Sequence, residues 1–406
     1  NTFGTDEYIQ MSSNIACVHY ICTNAGTGTA EEMSDWVEYC NLENEGKYAK
    51  WRIANGEEQP YNVKYWSIGN ENYGNWEIGA KSSEEWWRLV KESAKMIKHV
   101  SPTVELSAAA LPDIDWTMNL LKHCGEYLDW ISLHGYWDML AEKNELADYT
   151  QCMAYTEQVD RAVTDVKGLL TALHLEKKIK IAFDEWNLRG WHHPNVHTIK
   201  QGIDKDSYLI PRDKNDDNSS YTMADAVFTA CFLNAMNRNC DIVGMANFAP
   251  ILNTRGCIYS YKDGVVLRST YHVFDLYVNH MGDTVLDSWE EGEKNTFTVS
   301  DKNGRKVTVN TLDILATQHS ETEKISIAVV NKEPDKEKKL EICLDENSYA
   351  RYEVQEYRIV GSSVDSYNDI DRTEVFIEQL PTKETSGVYQ VNLAPHSINV
   401  IDFKIL

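Results

Sequence analysis

The chain has 406 residues, of which 42% are hydrophobic and 25% are charged, as in an ordinary globular protein. Its formal net charge of -24 argues against nucleic acid as a partner, because binding a polyanion depends on Lys and Arg. No stretch approaches the roughly 18 apolar residues that a membrane span needs, so we expect no membrane partner either.

The nine cysteines are an odd number and contain no C-x-x-C pair, which argues against a zinc ribbon or a thioredoxin-like motif. Most of them lie in apolar runs and are expected to be small core residues. This usage indicates a reducing compartment, so we expect a cytoplasmic protein. The sequence begins with Asn1 rather than Met, and for that reason the lack of a visible signal peptide decides little.

Residues 15–22, IACVHYIC, predict a buried strand, and the TNAGTGT that follows predicts a Gly-rich turn. A helix is expected from Thr29 to Cys40, with Thr29 as its N-cap. The strand-then-helix pattern then recurs. The further predicted strands are 65–68, 104–108, 130–134, 179–183 and 242–247, and the further predicted helices are 83–100, 116–123, 153–173, 223–237 and 270–281. This alternation predicts the α/β class, with a parallel sheet covered by helices, and six such units favour a (β/α) barrel.

The pattern changes near Gly282. Residues 283–406 show short runs of alternating apolar and polar residues separated by polar turns, without helical periodicity. We therefore expect two domains, a (β/α) barrel catalytic domain at 1–282 and an all-β, jelly-roll-like sandwich at 283–406. The runs are 297–300, 307–317, 325–331, 340–344, 352–360, 388–393 and 398–405.

Two of the predicted strands end in a glutamate. YWSIGNENYG (65–74) leads to Glu71, and KIAFDEWN (180–187) leads to Glu185. Carboxyl ends of barrel strands form the active-site face, and a two-carboxylate glycosidase needs one acid to protonate the leaving oxygen and another to attack the anomeric carbon. Asp184 points to the opposite side of its strand from Glu185, so we assign the role to Glu185 and leave the reverse assignment open.

A third strand end carries polar aromatic residues. In WISLHGYW (130–137), His134 and Tyr136 alternate to one side of the chain. The Tyr136 hydroxyl could hold the nucleophile carboxylate in place, and His134 could equally be a structural residue.

The motif GWHHPN places an aromatic residue beside two histidines. Trp191 is either a flat platform for a sugar or a residue that packs its own loop. His192 and His193 have no third ligand at convincing spacing, so we expect no metal and no cofactor.

Several of these stretches resemble the α-L-arabinofuranosidases of glycoside hydrolase family 51. The resemblance extends from residue 3 to about residue 280, and PHSINVIDF at 395–403 is also similar. Its most specific part is the combination of GNE with FDEWN at their separation. The matching stretches are FGTDE, GTGT, WVEYCN, WSIGNENYG, SLHGYW, FDEWN, MANFAP and DGVVLRSTYHVFDLY.

The resemblance implies a retaining mechanism on a (β/α)8 barrel that is followed by a β-sandwich. Glu71 matches the acid/base at the end of barrel strand four, and Glu185 matches the nucleophile at the end of strand seven. Asn70 matches a residue that binds the sugar 2-hydroxyl. Tyr136 matches a tyrosine that hydrogen-bonds the nucleophile, with His134 close by.

Two departures from the family pattern follow from this match. Glu71 and Glu185 end the second and fifth predicted strands, so we expect an N-terminally incomplete barrel that lacks its first two βα units, and inactivity if nothing replaces them. Pro250 stands where many members carry a glutamine that contacts the sugar, which puts the specificity in doubt. Members of the family often form hexamers, so a homo-oligomer is also implied.

The function predicted from these residues and this resemblance is removal of terminal non-reducing α-L-arabinofuranosyl residues from arabinan- or arabinoxylan-derived oligosaccharides. One alternative is an endo-acting β-glucanase or xylanase on the same barrel, which would need an open cleft rather than a closed pocket. The other is a sugar-binding protein without turnover.

Overall fold

A computed structural model of the chain describes residues 2–139, 145–190, 214–291, 295–300, 304–344 and 350–406. These residues form two compact units. The first comprises Asn1–His134, Ala162–Asp184 and Ile242–Met245, and the second comprises Gly135–Arg161, Glu185–Asp241 and Ala246–Leu406. The predicted division of the chain at residue 282 stays a prediction.

The six predicted strands of the first part of the chain are all present. Strands β1 (Tyr20–Thr23), β2 (Tyr65–Ile68) and β3 (Glu105–Ala108) pair side by side in parallel. A parallel bridge between Ala109 and Ser132 leads to β4. Strands β4, β5 and β6 follow in that order, and their last residues belong to the second unit. These three strands are Trp130–Asp138, Lys180–Arg189 and Val243–Phe248.

Two of these strands are longer than predicted. Strand β4 continues past His134 to Asp138, and strand β5 continues past Phe183 to Arg189. The polar residues that we expected to end β5 are followed by Trp186 and Leu188, which are buried and continue the strand. Glu185 therefore lies within a strand and not at its tip, which corrects the sequence prediction.

Two helices of the first unit, which start at Ala30 and Ser83, follow a residue that caps them through its side chain. Thr29 and Ser82 accept hydrogen bonds from backbone N–H groups three residues later, and each forms a capping box with a glutamate. The sequence analysis missed α1 and α3, which bury only two residues each and so carry little apolar periodicity. The helices are α1 (Thr5–Asn14), α2 (Ala30–Asn41), α3 (Lys47–Ala54), α4 (Ser83–Val100), α5 (Asn119–Cys124), and the second half of α6 (Tyr149–Ala172).

Every element that the structure describes between residues 283 and 406 is a β-strand, as predicted. One sheet has the order β16-β15-β19-β13-β12-β9, with β17 beside β15, and β14 pairs with β18. Side chains of the large sheet and of β18 share one buried core, which includes Val354, Phe403 and Tyr389. The strands are β9 (Thr284–Leu286), β10 (Thr296–Ser300), β11 (Lys306–Asn310), β12 (Leu312–Gln318), β13 (Ile325–Asn331), β14 (Lys338–Cys343), β15 (Arg351–Val360), β16 (Phe376–Gln379), β17 (Lys383–Ser386), β18 (Val388–Leu393) and β19 (Ser397–Ile405), with a further hairpin of β7 (Ile258–Tyr261) and β8 (Gly264–Leu267) before them.

Within the second unit, helix α7 (Met223–Arg238) joins the sandwich to the preceding elements. Nearly all of its residues are buried, which explains why its sequence is apolar on every side. Asn234 and Arg238 both donate hydrogen bonds to Asp313 on β12, at 2.8 and 2.7 Å. The remaining helix of this unit is α8 (Ser269–His280).

Two expectations from composition can be compared with the described residues. No helix among them has both the length and the apolar content needed to cross a bilayer. Five of the nine cysteines are buried, as expected for small core residues. They are Cys40, Cys124, Cys152, Cys231 and Cys257.

Candidate active site

The turn that carries Glu71 has an unusual backbone. Gly69 has a φ of 69°, and a Cβ there would lie 2.2 Å from the Asn72 side-chain oxygen and 2.7 Å from the Trp86 ring. Only glycine fits this position. Glu71 itself has a φ of 44°, in the left-handed region that costs a non-glycine residue about 1–3 kcal/mol. Such strain is often found at functional sites. Glu71 follows β2, and its backbone conformation sets the direction of its carboxylate.

Both carboxylate oxygens of Glu71 have nitrogen partners. The indole N–H of Trp76 donates a hydrogen bond to Oε2 at 2.6 Å, and His134 Nδ1 lies 2.7 Å from Oε1. The side chains of Glu71 and His134 are only 14% and 7% exposed, whereas Trp76 is 57% exposed. These two contacts fix the direction of the Glu71 carboxylate.

Asp184 lies on the other side of the His134 ring. Its carboxylate accepts hydrogen bonds from the hydroxyls of Tyr20 at 2.6 Å and Ser132 at 2.8 Å, and His134 Nε2 lies 3.6 Å from it. Burial raises the pKa of Asp184. The burial of Tyr20 and the charge of Asp184 together raise the pKa of Tyr20 well above its usual value. The His134 imidazole therefore lies between the carboxyl groups of Glu71 and Asp184.

Glu185, in the second unit, has partners of a different kind. The Tyr136 hydroxyl donates a hydrogen bond to Glu185 Oε1, which is the contact that the sequence predicted. The guanidinium of Arg255 lies 4.5 Å from the centre of the Tyr136 ring, and Arg255 is buried. Burial lowers the pKa of Arg255, while the charges of Tyr136 and Glu185 act in the opposite direction. The Tyr136 hydroxyl thus orients the Glu185 carboxylate, and Arg255 packs over the ring of that tyrosine.

The residues after Glu185 fix its strand. Trp186 is fully buried and stacks on Phe232 with the ring centres 3.6 Å apart. The Asn187 amide donates to the carbonyl oxygens of Ala249 at 3.1 Å and Arg255 at 3.0 Å. Glu185 is thus held on a rigid element, which is the support that a nucleophile needs to keep its direction.

The remaining predicted site residues have different outcomes. Asn70 is exposed, and its backbone N–H donates to the Asn72 side chain at 3.1 Å. Trp191 lies outside the described residues. Pro250 directly follows Ala249, and its ring offers no hydrogen-bond donor where the family pattern has a glutamine. The roles assigned to these residues stay predictions.

The sequence analysis missed two residues in these neighbourhoods. Trp76 follows Glu71 by five positions in the same polar turn, and an aromatic residue with an N–H so close to a candidate acid was a usable signal. Arg255 lies in the connection between β6 and β7 and has no local signal, because its contact is with Tyr136, 119 positions earlier.

Sequence profiles of known families match both parts of the chain. The profile of the α-L-arabinofuranosidase 1 domain matches residues 1–153, and the profile of the α-L-arabinofuranosidase C-terminal domain matches residues 184–397. The second match alone covers more than half of the chain and includes Glu185.

Individual proteins are similar over nearly the whole chain. A probable α-L-arabinofuranosidase C of Aspergillus clavatus is 29% identical, and the alignment covers 100% of this chain and 78% of that protein. An intracellular exo-α-(1→5)-L-arabinofuranosidase of Halalkalibacterium halodurans is 27% identical, with 99% and 78% covered. The solved structure of the thermostable GH51 α-L-arabinofuranosidase from Thermotoga petrophila superposes with a TM-score of 0.82 at 29% identity, with 98% and 78% covered.

Proposed function

The chain belongs to the α-L-arabinofuranosidases of glycoside hydrolase family 51, and from this premise we propose that it removes terminal non-reducing α-L-arabinofuranosyl residues from arabinan- or arabinoxylan-derived oligosaccharides with retention of configuration. The observation that carries the proposal is that strand β4 supplies a partner to each glutamate, His134 to Glu71 and Tyr136 to Glu185.

The geometry of one strand supports a joint role for the two glutamates. His134 and Tyr136 are two positions apart on β4, a spacing at which the side chains of a strand point to the same side. Retaining glycosidases use two carboxylates about 5–5.5 Å apart, and this is the separation that the proposal requires of Glu71 and Glu185. The contacts of His134 with Glu71 and of Tyr136 with Glu185 thus support an acid/base and a nucleophile that act on one glycosidic bond.

In the proposed first step, protonated Glu71 gives its proton to the glycosidic oxygen while a Glu185 carboxylate oxygen attacks the anomeric carbon. The bond from that carbon to the leaving group breaks, and an ester between Glu185 and the arabinosyl unit forms. In the second step the Glu71 carboxylate takes a proton from water, and the water oxygen attacks the same carbon. Arabinose leaves, Glu185 is again ionised, and Glu71 is again protonated.

The other residues have supporting roles in this proposal. Tyr136 holds the direction of the Glu185 carboxylate, with Arg255 over its ring. His134 and Trp76 hold the Glu71 carboxylate after it has given up its proton. Asn70, exposed beside Glu71, is proposed to bind the sugar 2-hydroxyl. Trp191 remains a proposed sugar platform.

For the architecture, we propose that strands β1 to β6 belong to a catalytic domain of the (β/α)8-barrel type at residues 1–282, and that residues 283–406 form a separate sandwich. The parallel pairing of β1 to β3 supports the first, and the antiparallel sheets of strands β9 to β19 support the second. The intracellular relative supports a cytoplasmic location. A hexameric assembly stays a prediction.

The test is hydrolysis of p-nitrophenyl α-L-arabinofuranoside by the full chain, with proton NMR of the first arabinose anomer released. We expect turnover and an α-anomer before mutarotation. A β-anomer would contradict the retaining mechanism. Activity on carboxymethylcellulose or unsubstituted xylan without activity on the arabinofuranoside would favour the endo-acting alternative, and binding of arabino-oligosaccharide without any turnover would favour a sugar-binding protein.

A further inference from the structure

A second carboxyl group of the first unit, that of Asp184, faces the histidine that contacts Glu71. Each nitrogen of the His134 ring lies near a carboxylate oxygen: Nδ1 is 2.7 Å from Glu71 Oε1, and Nε2 is 3.6 Å from Asp184 Oδ1. The first distance is that of a hydrogen bond, whereas the second is longer, so the contact with Asp184 is mainly electrostatic. The three side chains thus form a row, with the ring between two carboxyl groups.

The Asp184 carboxylate is held by hydroxyl groups from two other strands. The Tyr20 hydroxyl on β1 donates to Oδ2 at 2.6 Å, and the Ser132 hydroxyl on β4 donates to Oδ1 at 2.8 Å. The Asp184 side chain is only 6% exposed, so these hydroxyls take the place of water as donors. Because each oxygen has a partner, the carboxylate is not free to turn away from His134.

Strand β4 brings two of these partners to the same oxygen. Ser132 and His134 are two positions apart on this strand, so their side chains point to the same side. Asp184 Oδ1 is the atom that accepts from Ser132 and also lies nearest to the ring. The hydrogen bond from Ser132 therefore fixes the position of the oxygen that faces His134.

The ionisation of this group is balanced by its surroundings. Burial raises the pKa of Asp184, whereas the His134 ring and the hydroxyls of Tyr20 and Ser132 act in the opposite direction. The pKa of Tyr20 is raised well above its usual value by burial and by the Asp184 charge. The Tyr20 hydroxyl thus keeps its hydrogen at neutral pH and remains a donor to Asp184.

The direction of the Glu71 carboxylate depends on the His134 ring. The partner of Glu71 Oε2 is Trp76, an exposed residue of the same turn, whereas the partner of Oε1 is a buried side chain of another strand. A carboxylate beside the far nitrogen of a histidine fixes the orientation of the ring and the position of its hydrogens. Without the charge of Asp184, the ring would be free to turn and Nδ1 would leave Oε1.

We propose that Asp184 is a positioning residue for the acid/base of this enzyme. Its carboxylate orients the His134 ring, and the ring orients the carboxyl group of Glu71. The hydroxyls of Tyr20 and Ser132 hold Asp184 in the position that this requires. Asp184 neither gives nor takes a proton, as in other sites where a carboxylate orients a histidine. The proposal rests on the acid/base role of Glu71 in the proposed function.

The test varies the leaving group, because a misdirected acid matters most where the leaving group needs a proton. In the full chain, Asp184→Asn should lower kcat/KM on arabino-oligosaccharides roughly 10- to 50-fold, and on p-nitrophenyl α-L-arabinofuranoside only about twofold. On the latter substrate kcat and KM should fall together, since the second step still needs Glu71 as a base and the ester intermediate accumulates. Asp6→Asn is the matched control, because Asp6 also accepts hydrogen bonds from two hydroxyls of the first unit, those of Tyr39 and Tyr61. It should change none of these quantities.

A second variant leaves the charge of Asp184 in place and removes one of its donors. Tyr20→Phe should show the same dependence on the leaving group, with a smaller loss of about three- to tenfold on arabino-oligosaccharides. Tyr61→Phe, which removes a hydroxyl from Asp6, is its control. If the thermal melt of Asp184→Asn shows that this variant does not fold, the comparison of Tyr20→Phe with Tyr61→Phe decides.

A spectroscopic measurement makes the contact testable without turnover. In protein labelled with ¹⁵N-histidine, the ring nitrogens of His134 are identified by the NMR signals that disappear in His134→Gln. We expect the signal of Nδ1, which moves in Glu71→Gln, to move also in Asp184→Asn and to stay in place in Asp6→Asn. If the unmodified chain does not hydrolyse the arabinofuranoside but these shifts occur, the proposed function fails and the orientation of His134 by Asp184 stands.

Three results would overturn the proposal. The first is no loss, or an equal loss on both substrates, in Asp184→Asn and in Tyr20→Phe, which would leave Asp184 with a role in folding alone. The second is the same dependence on the leaving group in Asp6→Asn. The third is an Nδ1 signal of His134 that does not respond to Asp184→Asn.

Discussion

The surroundings of Glu71 and Glu185 differ in both backbone and partners. Glu71 lies in a turn with left-handed backbone, and its carboxylate meets two nitrogens, one of them on the exposed Trp76. Glu185 lies inside a strand, and its carboxylate meets the Tyr136 hydroxyl, over whose ring the buried Arg255 lies.

This difference matches what each carboxyl group has to do in the proposed reaction. An acid/base must pass its proton to a leaving group and recover one from water, so a turn with an exposed neighbour is a suitable place for it. A nucleophile must remain ionised and keep its direction, so a rigid strand with a cation nearby suits it better. The two side chains are chemically identical, so their environments, and not the residue type, fit them to different roles in the proposed reaction.

The largest effect is expected where the nucleophile is removed. Glu185→Gln keeps the shape of the side chain but cannot form the ester, so kcat on p-nitrophenyl α-L-arabinofuranoside should fall roughly 10⁴-fold or more. Asp184→Asn, a change to the neighbouring carboxyl, is the comparison variant and should retain far more activity. The opposite ranking, measured on variants with native thermal melts, would show that Asp184 and Glu185 were assigned the wrong way round.

Removal of the acid should depend on the leaving group. Glu71→Ala should lower kcat/KM on arabino-oligosaccharides about 10²- to 10⁴-fold, because their leaving alcohol needs a proton. The loss on p-nitrophenyl α-L-arabinofuranoside should be much smaller for the first step, since nitrophenolate leaves without one. Equal losses on both substrates would argue against Glu71 as the proton donor.

The Tyr136 hydroxyl supports the charge of Glu185. Tyr136→Phe should lower kcat about 10- to 100-fold, the loss expected for one hydrogen bond to a charged group. The acidic limb of the pH–rate profile should move to higher pH, because the ionised nucleophile loses a donor. Tyr127→Phe removes the hydroxyl of another tyrosine that interacts with a glutamate, Glu126, and should change neither quantity.

The smallest effect is expected at Trp76. Trp76→Phe removes the N–H donor to Glu71 and should lower kcat/KM about five- to tenfold. The alkaline limb of the pH–rate profile should move to higher pH, because the ionised form of the acid/base is less stabilised. Trp289→Phe is a matched control, since the Trp289 indole also donates to a glutamate, Glu291, at 3.3 Å. If Trp76→Phe and Trp289→Phe changed kcat/KM and the alkaline limb equally, the hydrogen bond from Trp76 to Glu71 would have no special role.

Much of the fold could be predicted because its signals are local. Thr29 and Ser82 start their helices through capping boxes that can be read within four residues of sequence. The apolar runs before Glu71 and Glu185 identified strands β2 and β5. Helices α1 and α3 were missed because short helices with two buried residues leave almost no periodic pattern.

The sequence by itself determined which residues could supply the chemistry, because strand ends, caps and the alternation of side chains at Tyr136 and His134 depend on close neighbours in the chain. Only the tertiary structure decided their partners. The Tyr20 hydroxyl donates to Asp184 across 164 positions, and the Arg255 guanidinium lies over the Tyr136 ring across 119 positions. Contacts at such separations depend on the path of the whole backbone, which no local pattern contains.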